Sequence, residues 1–407
     1  MKKYDVLIVG SGPIAITTSL LLAKNKVRVG LLIDDLKYFK NDVKQHGPAR
    51  LFAIAQNSYE IFNQIGISEK IVENSQPINY IRVVDDNSYS KVDFLPQDID
   101  LKNFGYLIDE LVLLRFLYNK LNENLDKIDV LYSPSDIKIE SEEFFTHIYC
   151  DKFTNMSKET EVLDHIYAPL VIGADGKYST VRKLVGIDIK ELDYCETAIV
   201  IDIRHTEWPH NGVAVEKFTP NGAFAILPKH ELLGTMSSLV WIEKGKISKD
   251  DINFFDKSTL KNLILRKLNG YLGAIEIASN PLTYHLKLVQ AKQRYKNRVV
   301  LIGDSAQAIH PIAGQGLNLG LRDMEGIIKI ISFGMEIGLD IGSESLLQDY
   351  CRSRVLDVQK MIKGTTFLTK LFSNEILPIK IIRRTGLRGF NNLKWIKKIT
   401  MKYASGL

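Results

Sequence analysis

Asp304 follows Gly303 at the end of the apolar run Val299–Ile302, a pattern that predicts a buried strand with a carboxylate at its carboxyl end. In an open α/β sheet that is where ligands bind. Gly314, Gly316 and Gly320 come next and lead into an apolar-periodic helix expected to begin near Leu317. Backbone N–H groups at Gly316, Leu317 and Asn318 would then sit at a helix N-terminus, a site for an anion or an electron-rich oxygen. A carboxylate that accepts from ribityl or ribose hydroxyls, with amides nearby facing a charge-accepting ring, suits a flavin. In the same stretch His310 is the nearest candidate for a base that draws a proton from substrate. It precedes Pro311 in a turn, so shaping that turn is the alternative.

A second cluster opens the chain. Tyr4–Val9 reads as a buried strand, Gly10, Gly12, Pro13 and Ala15 follow as GxGxxA, a helical pattern runs to about Asn25, and Val27–Ile33 returns as a strand. Such a βαβ unit lets a pyrophosphate approach the backbone at a helix N-terminus. The pattern alone does not separate FAD from NAD. A carboxylate that grips the adenosine ribose is expected about 20 residues on. That position falls on Ile33, with Asp34 next; Asp34 either takes the role or is a strand-end turn residue. Arg50 has two readings, a partner for the pyrophosphate or the ring mouth, and a surface cation. Leu170–Gly173 predicts another buried strand, ending at Asp175-Gly176 before Ser179 and Arg182.

The elements that position these groups fit an ordinary globular composition: 407 residues, 45% hydrophobic and 25% charged, room for two or three domains. Cys150, Cys195 and Cys351 are widely spaced and form no CxxC or metal pattern, which predicts reduced thiols. No apolar run reaches the roughly 18 residues of a membrane-crossing helix, and Asp5 with the Gly10/Gly12/Pro13 break argues against a signal peptide. Alternating strands from Cys195 to Trp241, without helices between them, predict an antiparallel sheet inserted after Asp175 and before Asp304. A helix from about Lys249 to Leu268 is expected to close it. From Met361 onward ten Lys/Arg face one acid, Glu375, a net +9 against −4 for the preceding chain. Interleaved with Phe390 and Trp395, they suit an amphipathic helix on an anionic membrane surface, or a solvated basic tail. No nucleic-acid-binding module is present.

The stretch from Gly303 to Asp323 resembles the GD signature of FAD-dependent aromatic hydroxylases with the p-hydroxybenzoate hydroxylase fold, matching at Gly303, Asp304, Ala306, Pro311, Gly314, Gln315, Gly316, Asn318, Gly320 and Asp323. Gln307 stands where that signature has His. Gly173–Arg182 resembles the same family's DG signature, and the segment around Arg50 its arginine segment. Glu110 stands where the family has a polar, uncharged residue near the flavin. Glu216–Trp241 resembles the UbiH/UbiF type of ubiquinone-biosynthesis hydroxylase, with Phe224, Leu227, Pro228 and Trp241 lining or backing an apolar substrate pocket.

The resemblance implies an α/β fold: a Rossmann-like FAD-binding domain (1–74, 101–182 and 286–345), an inserted antiparallel β-sheet substrate domain (75–100 and 183–285) and a C-terminal helical basic tail (346–407). It implies a monooxygenase with noncovalent FAD, NAD(P)H as transient co-substrate and a polyprenyl phenol as lipid substrate. The expected place is the cytoplasm, at the inner face of the cytoplasmic membrane, with other ubiquinone-biosynthesis proteins as candidate partners. Two alternatives stand beside it: a flavin oxidase or reductase acting on another lipid, and a non-catalytic FAD-binding subunit.

Overall fold

The computed structural model describes residues 1–36, 48, 50–85, 91–133, 136–157, 162–219, 221–248, 251–252, 256–310, 314–372 and 393–405. Pro311 and the tail segment 373–392, with Glu375, Lys380, Arg383, Arg384, Arg388 and Phe390, lie outside these residues.

The chain opens with β1 (Val6–Val9), α1 (Pro13–Lys24) and β2 (Val29–Ile33), then β3 (Leu51–Ala55) and α2 (Gln56–Gln64). Strands β4 (Tyr80–Asp85) and β5 (Lys91–Phe94) precede β6 (Gly105–Asp109), α3 (Glu110–Asn122) and β7 (Ile128–Tyr132). Next come β8 (Thr146–Asn155), β9 (Val162–Ala168) and β10 (Leu170–Gly173), then the long β11 (Ile189–His205), β12 (Val213–Thr219), β13 (Gly222–Pro228) and β14 (Met236–Lys244). Helix α4 (Lys257–Leu268), β15 (Leu282–Ala291), β16 (Val299–Leu301), β17 (Gln307–Ala308), α5 (Gly316–Glu336), α6 (Glu344–Phe372) and α7 (Lys394–Ser405) follow.

The first sheet has a parallel centre in the order β7-β2-β1-β10-β16, extended by antiparallel β8 and by β9. All residues of β1, β2, β10 and β16 are buried, as continuous aliphatic runs require when helices cover both faces. The carboxyl ends of β1, β10 and β16 are adjacent, which brings Gly10, Asp175 and Asp304 to one edge.

The second sheet runs β17-β15-β11-β14-β13-β12-β4-β5. Its pairs are antiparallel except for β12 with β4, which are parallel. The single strand β15 crosses the boundary expected at 285, and β17, within the GD stretch, pairs with it. One face carries Ile199, Ile201, Ile203, Val215, Phe224, Ile226 and Leu239, packed under Leu260, Ile264 and Leu268 of α4. The expected helix from about Lys249 is broken at Asp256: its extended backbone (φ −62, ψ 159) and its carboxylate, which accepts from the Thr259 N–H at 2.6 Å, make it the N-cap of α4. The opposite face looks toward the first sheet and the small β3-β6 layer, where Ala214, Ile81 and Leu227 meet Ala53, Phe104 and Leu107.

Candidate active site

The N-terminal loop is shaped by two glycines with different constraints. Gly10 has φ +146, and a Cβ there would stand 2.4 Å from the Ala174 carbonyl oxygen, so only glycine lets β1 and β10 approach at their ends. Gly12 is the reverse: a Cβ would meet nothing within 4 Å. It precedes Pro13 at the start of α1, whose first N–H groups have no side-chain cap, while Ala15 is fully buried. Open space before uncapped N–H groups fits a pyrophosphate. Asp34 is the first residue beyond β2. Its N–H donates to Ser11 Oγ at 3.2 Å, and the Ser11 hydroxyl donates to the Asp34 carboxylate. Asp34 is thereby held beside the phosphate loop, whereas Ile33 is buried in the strand. Tyr118 donates to the Ser11 carbonyl at 3.1 Å and braces the loop from α3.

Asp304 lies in a short turn, Gly303–Ser305, at the end of β16. Burial pushes its carboxyl above the usual range, against the pull of Arg50 and Lys177. Burial likewise lowers the Lys177 ammonium, with Asp304 opposing. Asp304, Arg50 and Lys177 therefore share one cleft. Gly316 begins α5 in the same place: a Cβ on it would lie 3.8 Å from Arg50 Nη2. The helix has neither a side-chain cap nor an acid in its first turn, so its N–H groups at Gly316, Leu317 and Asn318 are not satisfied by a cap. Gly314 has φ +60 and abuts Ala53. The Asn318 side chain accepts from the Ala55 N–H at 3.0 Å and the Ser58 hydroxyl at 2.8 Å, and donates to the Ala53 carbonyl at 2.8 Å. Its contribution to the cleft is thus its backbone, while its amide locks α5 to β3. Carboxylates at Asp34 and Asp304, open space at Gly12 and two uncapped helix starts fit a flavin dinucleotide.

Other residues stand elsewhere than expected. His310 is buried, with Nε2 3.1 Å from Glu196 Oε2 and its ring edge-on to Tyr194 at 4.8 Å. That placement ties the GD loop to β11, and a proton-accepting role toward substrate is not what it favours. Gln307 points away from the cleft into a buried network with Asp323 and Arg294. Phe224 and Trp241 are cross-strand partners on the α4 side of the second sheet, and Pro228 shares that side, so these three do not line the flavin side. Leu227 alone of the four faces it. Asp175 accepts from the Val181 N–H at 2.9 Å, and Arg182 donates to the Ser305 carbonyl at 2.7 Å, so the DG element braces the GD turn. Glu110 starts α3 and donates its N–H to the Arg50 carbonyl at 2.9 Å. Tyr284, not singled out from sequence, stands beside this pair: burial raises its hydroxyl, as does Glu110, and Arg50 opposes. Nothing local marks Tyr284 or Lys177, because their neighbours are distant in the chain.

Comparison with known proteins follows the same lines. The sequence pattern of the family described as FAD binding domain matches residues 3–139 and 151–365. Ubiquinone hydroxylase UbiL of Rhodospirillum rubrum is 32% identical over 405 residues, covering 100% of this chain and 90% of its own length. Ubiquinone hydroxylase UbiM of Neisseria meningitidis is 29% identical over 414 residues, covering 99% and 84%. The fold is shared with the crystal structure of p-nitrophenol 4-monooxygenase PnpA from Pseudomonas putida, at TM-score 0.77 and 15% identity, over 100% of this chain and 99% of that one. With the dinucleotide cradle, a matching family pattern over most of the chain and a full-length relative above 30% identity, the chain belongs to the FAD-dependent monooxygenases of the ubiquinone hydroxylase family.

Proposed function

We propose that the protein hydroxylates the ring of a polyprenyl phenol on the route to ubiquinone, using NAD(P)H and dioxygen. The observation that carries this reading is the meeting of the Asp304–Arg50–Gly316 cradle with the partly open aliphatic face of the second sheet. When bound, FAD supplies electron transfer from NAD(P)H and activation of dioxygen. The remaining work falls to the chain. The uncapped start of α1 and Gly12 bind the pyrophosphate, and Asp34 the adenosine ribose. Asp304 accepts from ribityl hydroxyls. N–H groups at Gly316, Leu317 and Asn318 hold negative charge at the pyrimidine edge of the ring. The aliphatic sheet face binds an apolar substrate and excludes water.

The same reading places the protein at the cytoplasmic face of a membrane, where a polyprenyl chain resides. Helix α7 supports it. Met401 packs into the core and Lys397 pairs with Asp98 at 3.2 Å, while Trp395 and Ile399, four residues apart, are 64% and 59% exposed beside Lys398 and Lys402. An exposed apolar stripe flanked by lysines suits an anionic lipid surface. Among the described residues, no helix is long and apolar enough to cross a membrane. The test is NAD(P)H oxidation by purified protein with and without 2-geranylphenol, with mass spectrometry of the product. Stimulated turnover with one added oxygen is expected. Turnover without oxygen incorporation points instead to an oxidase or reductase.

A further inference from the structure

Glu216 is the one polar side chain in a cross-strand row of the second sheet. The register reads Val83, Glu216, Ala225, Val240, Val200 and Leu282 across six strands. Residues directly opposite one another project on the same face, and this face is the one turned toward the flavin-binding elements. On one side of the row Ala214 and Leu227 pack with Ala53, which abuts Gly314. On the other side Phe218, Ala198 and Ile242 pack with Tyr194, the residue edge-on to His310. Five of the six residues in the row keep part of their surface accessible, while on the other face α4 packs over Ile199, Ile201, Val215, Phe224, Ile226 and Leu239. The row is therefore the floor of an apolar trough beside the cradle.

An unpaired carboxylate among aliphatic side chains is costly to fold around. Burial alone pushes the Glu216 carboxyl up to about 7, with no cation or hydrogen-bond donor acting on it among the described residues. The other titratable groups on this face stand in groupings of their own: Asp85 opposite Phe218, Glu196 with His310, Asp202 with Lys229 and Asp109, and Arg50 and Glu110 flanking Tyr284.

We propose that Glu216 is the acceptor for the ring hydroxyl of the phenolic substrate, fixing the ring over the cradle and taking its proton as the ring is hydroxylated. The inference rests on the function proposed above. In the step the phenol O–H bond breaks, an O–H bond forms on the Glu216 carboxylate, and the freed electron pair enriches the ring carbons that receive oxygen. As aromaticity is restored, the ring carbon that received oxygen gives up its own proton to solvent, and the proton held on Glu216 returns to the ring oxygen. A single acceptor on an aliphatic floor orients a phenol while leaving its prenyl chain free to follow the apolar surface.

The test compares the wild type with Glu216→Gln and Glu216→Asp, using 2-geranylphenol and following product, KM and kcat across pH 5.5 to 9 (about the range of a group titrating near neutrality). Wild-type kcat/KM is expected to rise through about pH 7 as one group loses a proton. Glu216→Gln, with FAD content and circular dichroism unchanged, should lose about 100-fold in kcat/KM and the acid limb itself. Glu216→Asp should retain the limb with a raised KM, and carries the test alone if the Gln variant does not fold. A Gln variant with wild-type kcat/KM and the same limb overturns the role of Glu216 alone. Wild-type protein that holds FAD but never hydroxylates the phenol overturns the functional reading, and this inference with it.

Discussion

Gln307 donates its side-chain N–H to Asp323 Oδ2 at 2.6 Å, and its carbonyl oxygen accepts from Arg294. Asp323 also receives the Gly303 N–H at 3.2 Å and Arg354 Nε at 2.8 Å, so one buried carboxylate fixes the GD turn, α5 and α6 together. Burial works most strongly against the charge of Arg294, but Asp323, Tyr350 and Cys351 together outweigh it and raise the guanidinium. An amide that both donates and accepts joins the two ions, and the departure from His at this position lies in the scaffold behind the site.

Gln307→Leu should therefore destabilise the fold by about 2 kcal/mol, because it leaves a buried carboxylate and a buried guanidinium each short of a partner. A lowered urea midpoint is the readout. An unchanged midpoint would show that the network closes without the amide.

The two glycines of the first loop should behave differently. Gly10→Ala meets both a disfavoured φ and the Ala174 carbonyl, and is expected to cost about 3 kcal/mol of stability. Gly12→Ala has open space around it and should fold within about 0.5 kcal/mol of wild type. Its FAD affinity should nevertheless fall at least about tenfold, since the methyl enters the approach to the pyrophosphate. Denaturation curves and flavin titration separate the two effects.

Purified protein should be yellow with noncovalent FAD. Asp304→Ala should bind FAD about 10- to 100-fold more weakly, the loss of one charged hydrogen-bond acceptor. Unchanged flavin content in this variant would remove Asp304 from the cradle.

Replacing the exposed Trp395 and Ile399 together by Ser should leave the fold intact, because Met401 and Lys397 supply the docking contacts of α7. Binding to anionic vesicles, read by co-sedimentation, should fall about tenfold or more. Equal binding would deny α7 a membrane role.

Glu216 also predicts a pH dependence of stability. Its folded carboxyl stands near 7 against a usual 4.5, so between those values the folded chain holds a proton that the unfolded chain has released. Stability must then fall as pH rises through that window. Glu216→Gln should match wild type near pH 4.5 and exceed it above pH 7 by on the order of 2 kcal/mol, as paired urea titrations would reveal.

The cofactor grip was legible in the chain because its determinants are local. A short aliphatic strand, a glycine that permits a close approach and an acid at the strand end follow one another within a few residues at Gly10–Ala15 and Gly303–Gly320. Helix limits did not track cap strength: α5, which has no side-chain cap, begins at Gly316, one residue from the expected start, whereas α4 begins only after the Asp256 cap, beyond the expected Lys249. Which side of the second sheet meets the flavin was not legible. Strand alternation places Phe224 and Trp241 on one face and Leu227 and Glu216 on the other, but only the packing of α4 decides which face is covered. The same holds for His310 and Gln307, whose partners Glu196 and Asp323 are set by how the chain returns. Sequence by itself determined the fold class and the flavin, since turns and helix starts are written in neighbouring residues. Tertiary structure alone decided which side chains face substrate, because that depends on register and layer packing between segments far apart in the chain.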